Sequence, residues 1–369
     1  MSTKRLIDTF SQLVSIDSPT FGERKMADEV STRLALLGFE LTEDQAGEAI
    51  GGNAGNIYGY LPGTTNLNPL LFSAHLDTVE PSHGKEAMID DQGIISSAGN
   101  TILGADDLAG ISVILEAVKR LQDNGNPHRP IEILFTVAEE RYCLGSDLFD
   151  YSKLKSKEAY ILDLDAQQGV AANQAPSIIS FEITLHGKAA HAGFDPESGV
   201  HAILGAATAI TNIQMGHVDE ETTCNIGLID GGNGKNIIPD KCVVSGEIRS
   251  YSHEKALEQL NKVEHEFKVA IETLGGTYDL QSKTYIEAYL IDSTENVIRR
   301  WKNACQRANL TATLISTFGG SDNNHFAKNG IKGIVLASAM HQCHSTSEYS
   351  SVAELEKLTA LVMDLMTRD

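Results

Sequence analysis

The sequence predicts an α/β fold, a mixed sheet flanked by helices, into which a smaller ferredoxin-like domain of β-α-β-β-α-β order is inserted. Three observations lead there. Continuous apolar runs (LLFSAH, IEILFTVA, AYILDLD and GIKGIVLASAM) alternate with helix-like sequence, as in strands buried on both faces beneath packed helices. Near Ala175 this pattern gives way to half-exposed alternation, and after about Tyr289 it returns. With 369 residues the chain is long enough for about two domains.

Taken in order, residues 5–37 carry helical spacing around a break at SIDSPTFGE, where Ser18 and Pro19 mark a turn. NIYGYL and LLFSAH read as strands. After GADDLAG, the segment ISVILEAVKRLQDNG places Ile111, Ile114, Leu115, Val118 and Leu121 on one helical face, and Asn124-Gly125 ends it. Pro127 and Pro130 lead into IEILFTVA. In the inserted part, SIISFEITLHG, TTCNIGLIDGG and DKCVVSGEIRSY read as strands and SGVHAILGAATAITNI as a helix. A longer helix is expected over EKALEQLNKVEHEFKVAIETLG, with Leu257, Leu260, Val263, Phe267 and Ile271 inward. The expected boundaries are 1–175 with 290–369 for the larger domain and 176–289 for the insertion.

Composition excludes several functions. The formal charge of −21 argues against nucleic acid or an anionic membrane as partner. No run approaches the ~20 apolar residues of a membrane span, and the start has no signal-peptide core. The five scattered cysteines, odd in number and without a C-x-x-C pair, suit a reducing compartment, so a cytoplasmic protein is expected. Cys143 lacks a nucleophile motif, and GGNGKN does not join strand to helix as a phosphate loop must.

What remains is a constellation at strand ends. LLFSAH runs into His75 and, two residues on, Asp77; IEILFTVA ends in Glu139-Glu140; AYILDLD carries Asp163 and Asp165; GIVLASAM is followed by His341 and His344. GADDLAG adds Asp106-Asp107 just before a helix. Ligands of open α/β sheets bind at the carboxyl ends of strands, where such residues converge. Histidines and carboxylates without thiolate suit a hydrolytic zinc, cobalt or manganese site. The carboxylate excess suits two ions sharing a bridging carboxylate. From the residues alone, Asp163 and Asp165 compete, as do His341 and His344.

SAHLDTVEP, GADDLAG, Glu139-Glu140, AYILDLD, GKAAHAG, NIIPDKCVVSGEIR, GGSDNN and HQCHSTSE together resemble the di-zinc metallo-exopeptidases that include peptidase T, glutamate carboxypeptidase and the aminoacylases. SIDSPTFGE, GNAGNIYGYLPG and the HSTSE ending are most similar to the tripeptidase branch. The resemblance implies a zinc-exopeptidase-like fold with an inserted lid and dimerisation domain, and two divalent ions, zinc before cobalt or manganese. His75 and Asp163 would hold one ion, Glu140 and His344 the other, with Asp106 bridging. Asp77 would orient His75 through its second ring nitrogen. Glu139 would be the general base and proton carrier, and His191 an oxyanion donor. The Arg249 guanidinium would bind a substrate carboxylate, and Gly320 would also contact substrate. A cis peptide is implied between Asp106 and Asp107. The family pattern selects Asp163 over Asp165, and the H-x-x-x-E spacing to Glu348 selects His344 over His341.

Two departures bear on substrate. Many relatives read E-E-x-G-x-x-G where this chain has EERYCLG, and peptidase T-like chains usually carry lysine where Leu108 stands. The expected activity is removal of the N-terminal residue of short peptides, tripeptides foremost, by a homodimer. An N-acyl amino-acid deacylase or dipeptidase shares the chemistry. A catalytically silent metal-binding module is the rival of another class.

Overall fold

The computed structural model describes residues 2–369. The chain divides into two compact units. One comprises the residues up to Gln174 with Leu290–Thr317 and Ser321–Asp369; the other comprises Ala175–Tyr289 with Phe318–Gly320.

The first unit is built on a mixed sheet. Its strands follow the order Glu40–Glu43, Ile57–Leu61, Ile131–Thr136, Leu70–His75, Glu158–Asp165, Lys332–Ser338 and Val170–Ala175. The four from Ile131–Thr136 to Lys332–Ser338 run parallel, so their carboxyl ends share one edge. Every residue of Leu70–His75 and Ile131–Thr136 is buried, which accounts for their unbroken apolar character. Their one carboxylate, Glu132, accepts hydrogen bonds from the Lys155 and Ser156 amides and the Tyr58 hydroxyl.

The helix Ala105–Asp123 lies against this sheet and against the helices Ser2–Val14 and Val352–Thr367. It is buried on nearly every side from Ala105 to Val118, where the spacing had promised a single apolar face. It ends as expected at Asn124, with Gly125 in the left-handed region. A separate three-stranded sheet of Ala87–Ile89, Ile94–Ser97 and Tyr349–Ser351 was not foreseen, because its strands are short and partly polar.

In the second unit the strands Ser177–His186, Thr222–Gly231, Lys241–Ser250 and Thr277–Ile286 form an antiparallel sheet with the helices Ala202–Asn212 and His253–Thr273, in the expected β-α-β-β-α-β order. Its core joins Ile179, Phe181, Ile183 and Leu185 to Val244, Ile248, Val263, Phe267 and Ile271. Leu257 is 40% exposed, against expectation. The buried stripe runs through Ala256 and Leu260 instead, one residue's rotation away.

Candidate metal centre

The shared carboxyl edge of the parallel strands gathers the site. His75 is the last residue of Leu70–His75, and Asp163 lies near the end of Glu158–Asp165. Glu139 and Glu140 occupy a short turn after Ile131–Thr136, and His344 follows Lys332–Ser338 in a loop with its backbone at φ 62°. Asp106 and Asp107 interrupt the start of the Ala105–Asp123 helix with non-helical backbone, and the peptide between them is cis. Gly110, one turn on, has no room for a side chain: a Cβ would lie 2.4 Å from Asp107 Oδ1 and 2.8 Å from the Leu162 carbonyl oxygen. The aspartate turn is thereby seated directly on the strand that carries Asp163.

Two groups of possible ligand atoms result, each within 4.8 Å: His75, Asp106 and Asp163, and Asp106, Glu140 and His344. Asp106 belongs to both. One of its carboxylate oxygens lies 3.0 Å from His75 Nε2 and the other 3.3 Å from His344 Nε2. The two rivals fall outside these groups. His341 stacks on Tyr349, with its Nδ1 3.6 Å from Asp165 and its Nε2 3.0 Å from Glu354.

Asp77 is fully buried, and its carboxylate does more than the sequence suggests. Its two oxygens accept the backbone N–H groups of Glu139 and Glu140, at 3.0 and 3.3 Å, and the Thr20 hydroxyl at 2.9 Å. His75 Nδ1 is 2.9 Å from the Asp77 carbonyl oxygen but 3.5 Å from its carboxylate. The ring is therefore oriented chiefly by main chain, while the carboxylate fixes the Glu139-Glu140 turn.

The electrostatics are those of a cation site. Burial, and then repulsion from Asp163, push the Glu139 pKa well above its usual value; burial and Asp106 do the same to Asp163. Burial also raises Glu140, against the pull of His344. For Asp106, burial is outweighed by hydrogen bonds from His344 and His75, which hold it well below the carboxylate range. Burial disfavours charge on His75, yet Asp106 and Asp77 raise its pKa. Hydrogen bonds to Asp106 and Glu140 push His344 up to about 11. Glu140 Oε1 is buried and lies 3.1 Å from His344 Nε2. The donor set is histidine and carboxylate with no thiolate. These residues fit two divalent ions of the zinc, cobalt or manganese kind. Glu139, buried beside them and in neither group, accepts the Cys143 thiol at 3.3 Å.

The remaining expected site residues belong to the second unit. His191 Nδ1 accepts the backbone N–H groups of Gly193 and Phe194, so the ring proton sits on Nε2. Arg249 donates through Nε to Glu247 and through Nη1 to the Phe318 carbonyl. At Gly320 a Cβ would lie 2.1 Å from Ile286 Cδ1, the free end of a side chain that can turn aside.

Three side chains that support the site carry no assigned role in the sequence reading. Asn56 accepts the Val137 amide, Glu23 accepts the Ala138 amide, and Asp322 receives the hydroxyls of Ser146 and Thr136. The only signal was their place in SIDSPTFGE, GNAGNIYGYLPG and GGSDNN.

Comparison with known proteins agrees with this architecture. Residues 174–274 match the peptidase dimerisation domain of the M20 group, and residues 56–190 match peptidase family M28. The uncharacterized protein YqjE of Bacillus subtilis is 33% identical over 366 residues, 99% of this chain and 98% of that one. Aminopeptidase PepT of Bacillus cereus is 35% identical, with a TM-score of 0.93, and a tripeptidase of Staphylococcus aureus is 31% identical, with 0.96. Each comparison covers 99% of this chain and 98% of the other. A mixed sheet with an inserted dimerisation-type domain, a two-group ligand cluster at its strand ends and whole-length relatives of these kinds lead to one conclusion: this chain belongs to the M20 metallopeptidases, on the peptidase T-like branch.

Proposed function

We propose that the chain is a two-metal aminopeptidase that removes the N-terminal residue of short peptides, tripeptides foremost. The observation that carries this reading is the pairing of two three-ligand groups through Asp106 with Glu139, a buried acid left out of both. A tripeptidase and an aminopeptidase among the whole-length relatives support the substrate class.

His75, Asp106 and Asp163 would hold one ion, and Asp106, Glu140 and His344 the other, with zinc the first choice. Divalent ions bound there supply polarisation of the scissile carbonyl and acidification of the attacking water. Glu139 takes the proton from that water and delivers it to the departing amine, a cycle suited to a carboxylate whose pKa burial has raised. Asp77 holds this base in place through the Glu139 amide. For His191 we assign the oxyanion donor role, supported by the proton that its backbone contacts leave on Nε2. Arg249 is assigned to a substrate carboxylate and Gly320 to substrate contact. The second unit is assigned to lid and dimer formation, in line with its match to the dimerisation domain. No described helix is long and apolar enough to cross a membrane, and all five cysteines are free, in keeping with a reducing, cytoplasmic setting.

The test is hydrolysis of a free tripeptide beside an N-acetylated amino acid, by metal-stripped protein with and without added zinc. Zinc-restored cleavage of the tripeptide alone is the expected result. Cleavage of the acylated compound instead would move the chain to the deacylases. Metal binding without turnover of either would favour a silent metal-binding module.

A further inference from the structure

We propose that Glu23 is a positioning residue for the segment that carries Glu139 and Glu140. The inference rests on the roles assigned above to those two residues, and it names a side chain 115 positions from Ala138 that sets their geometry.

Beyond Thr136 the chain leaves the sheet ladder, and its next amides need other acceptors. Four consecutive backbone N–H groups find side chains from three separate segments. Val137 donates to Asn56 Oδ1 at 3.1 Å and Ala138 to Glu23 Oε1 at 3.1 Å. Glu139 and Glu140 donate to the two oxygens of Asp77. Among these four, Ala138 is the conformationally awkward position, at φ 51° and ψ 40°. A residue with a Cβ disfavours this left-handed region, and it stays there only when its surroundings over-determine it. Rotation of Ala138 back to the right-handed region would redirect the chain that follows and swing Glu139 and Glu140 off their present positions. The bond to Glu23 is made at the residue where this choice is decided.

Glu23 is not otherwise occupied in a way that explains it. It stands at the N-cap position of the Arg24–Leu36 helix, yet its side chain makes no capping hydrogen bond to that helix. It is 1% exposed. Oε1 accepts the Phe21 amide at 2.9 Å as well as Ala138, while Oε2 is buried with no hydrogen-bond partner among the described residues. Burial and the neighbouring Asp77 push its pKa up to about 7. Reach of one acceptor oxygen, rather than charge, is what the site uses.

That distinction sets the experiment. Glu23→Gln keeps an acceptor oxygen at the same reach in a group that cannot ionise. Glu23→Asp keeps the carboxyl group and withdraws the oxygen by one methylene. Glu23→Met removes the acceptor at similar size. Each variant is stripped and reloaded with cobalt, whose visible absorption reports ligand geometry independently of turnover, and is then assayed on a tripeptide. Glu23→Gln is expected to keep the wild-type spectrum and a kcat within about threefold. Glu23→Asp and Glu23→Met are expected to alter the spectrum and lower kcat by about 10–100-fold, with KM within about threefold. A wild-type-like Glu23→Asp, or a Glu23→Gln as impaired as Glu23→Asp, overturns the proposal. Should Glu23→Met not fold, the Gln and Asp variants decide alone. Should the wild type not cleave tripeptides, the cobalt spectra still decide, which separates failure of this inference from failure of the proposed function.

Discussion

Glu348 accepts the backbone N–H of Asp106 at 3.0 Å, with a buried carboxylate that also accepts the Gly104 amide at 2.7 Å. The contact joins the loop after His344 to the turn that presents the shared carboxylate, two segments more than 240 residues apart. Replacing Glu348 with Ala leaves two buried amides without acceptors and frees the Asp106 turn. Metal affinity is expected to fall about 10–100-fold, as with other outer partners of metal ligands. Equilibrium dialysis against zinc buffers checks it; unchanged affinity would show that the turn holds itself.

Glu139 belongs to neither ligand group, so Glu139→Gln is expected to bind two ions as the wild type does. With no base to accept the proton, kcat is expected to fall about 10²–10⁴-fold. Metal analysis and steady-state kinetics on the same preparation check both halves. Retained turnover would remove Glu139 from the mechanism.

The two histidines of HQCH are separable. His344→Gln removes a ligand atom 3.1 Å from Glu140 and 3.3 Å from Asp106 and is expected to lose one ion. His341→Gln breaks the contacts to Asp165 and Glu354 and is expected to keep both ions while lowering the melting temperature. Metal stoichiometry beside a thermal melt distinguishes them. The reverse pattern would exchange the two assignments.

Metal-free protein is expected to lose stability as pH rises from about 5 to 8. His75 and His344 have raised pKa values in the fold, so their ion pairs contribute fully below the ordinary histidine value near 6.5 and fade as pH climbs through the folded values. Glu139, Asp163 and Glu140 are raised as well, and Glu23 and Glu348 are each pushed to about 7. These acids hold protons in the fold that the unfolded chain releases near pH 4, which gives the same sign. Asp106, in the same cluster, is lowered, and its contribution persists throughout this window. Ion binding needs deprotonated ligands and strengthens with pH. The gap in melting temperature between zinc-loaded and stripped protein is therefore expected to widen from pH 6 to pH 8. A constant gap would mean that these groups do not titrate together with the metal.

Convergence at the sheet edge is legible in the sequence because it is a consequence of strand direction. His75, Asp163 and the Glu139-Glu140 turn each follow a run apolar enough to mark a buried parallel strand. The direction of those strands then brings them together. Asp106 is legible by type and by its place before a helix. Other features are invisible for physical reasons. Glu23 and Asn56 meet the Val137-Ala138 amides across 115 and 81 residues, and nothing local marks a side chain as acceptor for a distant backbone. Asp77 sits beside His75, as its spacing requires, but its carboxylate turns to amides that only the fold supplies. Leu257 shares the helical period of its neighbours, and the smaller Ala256 takes the inward position. The two-residue strand Gly216–His217 lies below the length at which a pattern exists.

In the proposed two-metal site Asp106 serves two ions at once. Calorimetric titration of zinc into metal-stripped wild type and Asp106→Asn tests it most directly, with circular dichroism to show that both remain folded. Two ions for the wild type and weakened binding at both sites in the variant are expected. A wild type that takes a single ion, or a variant that keeps one site at full affinity, would contradict it.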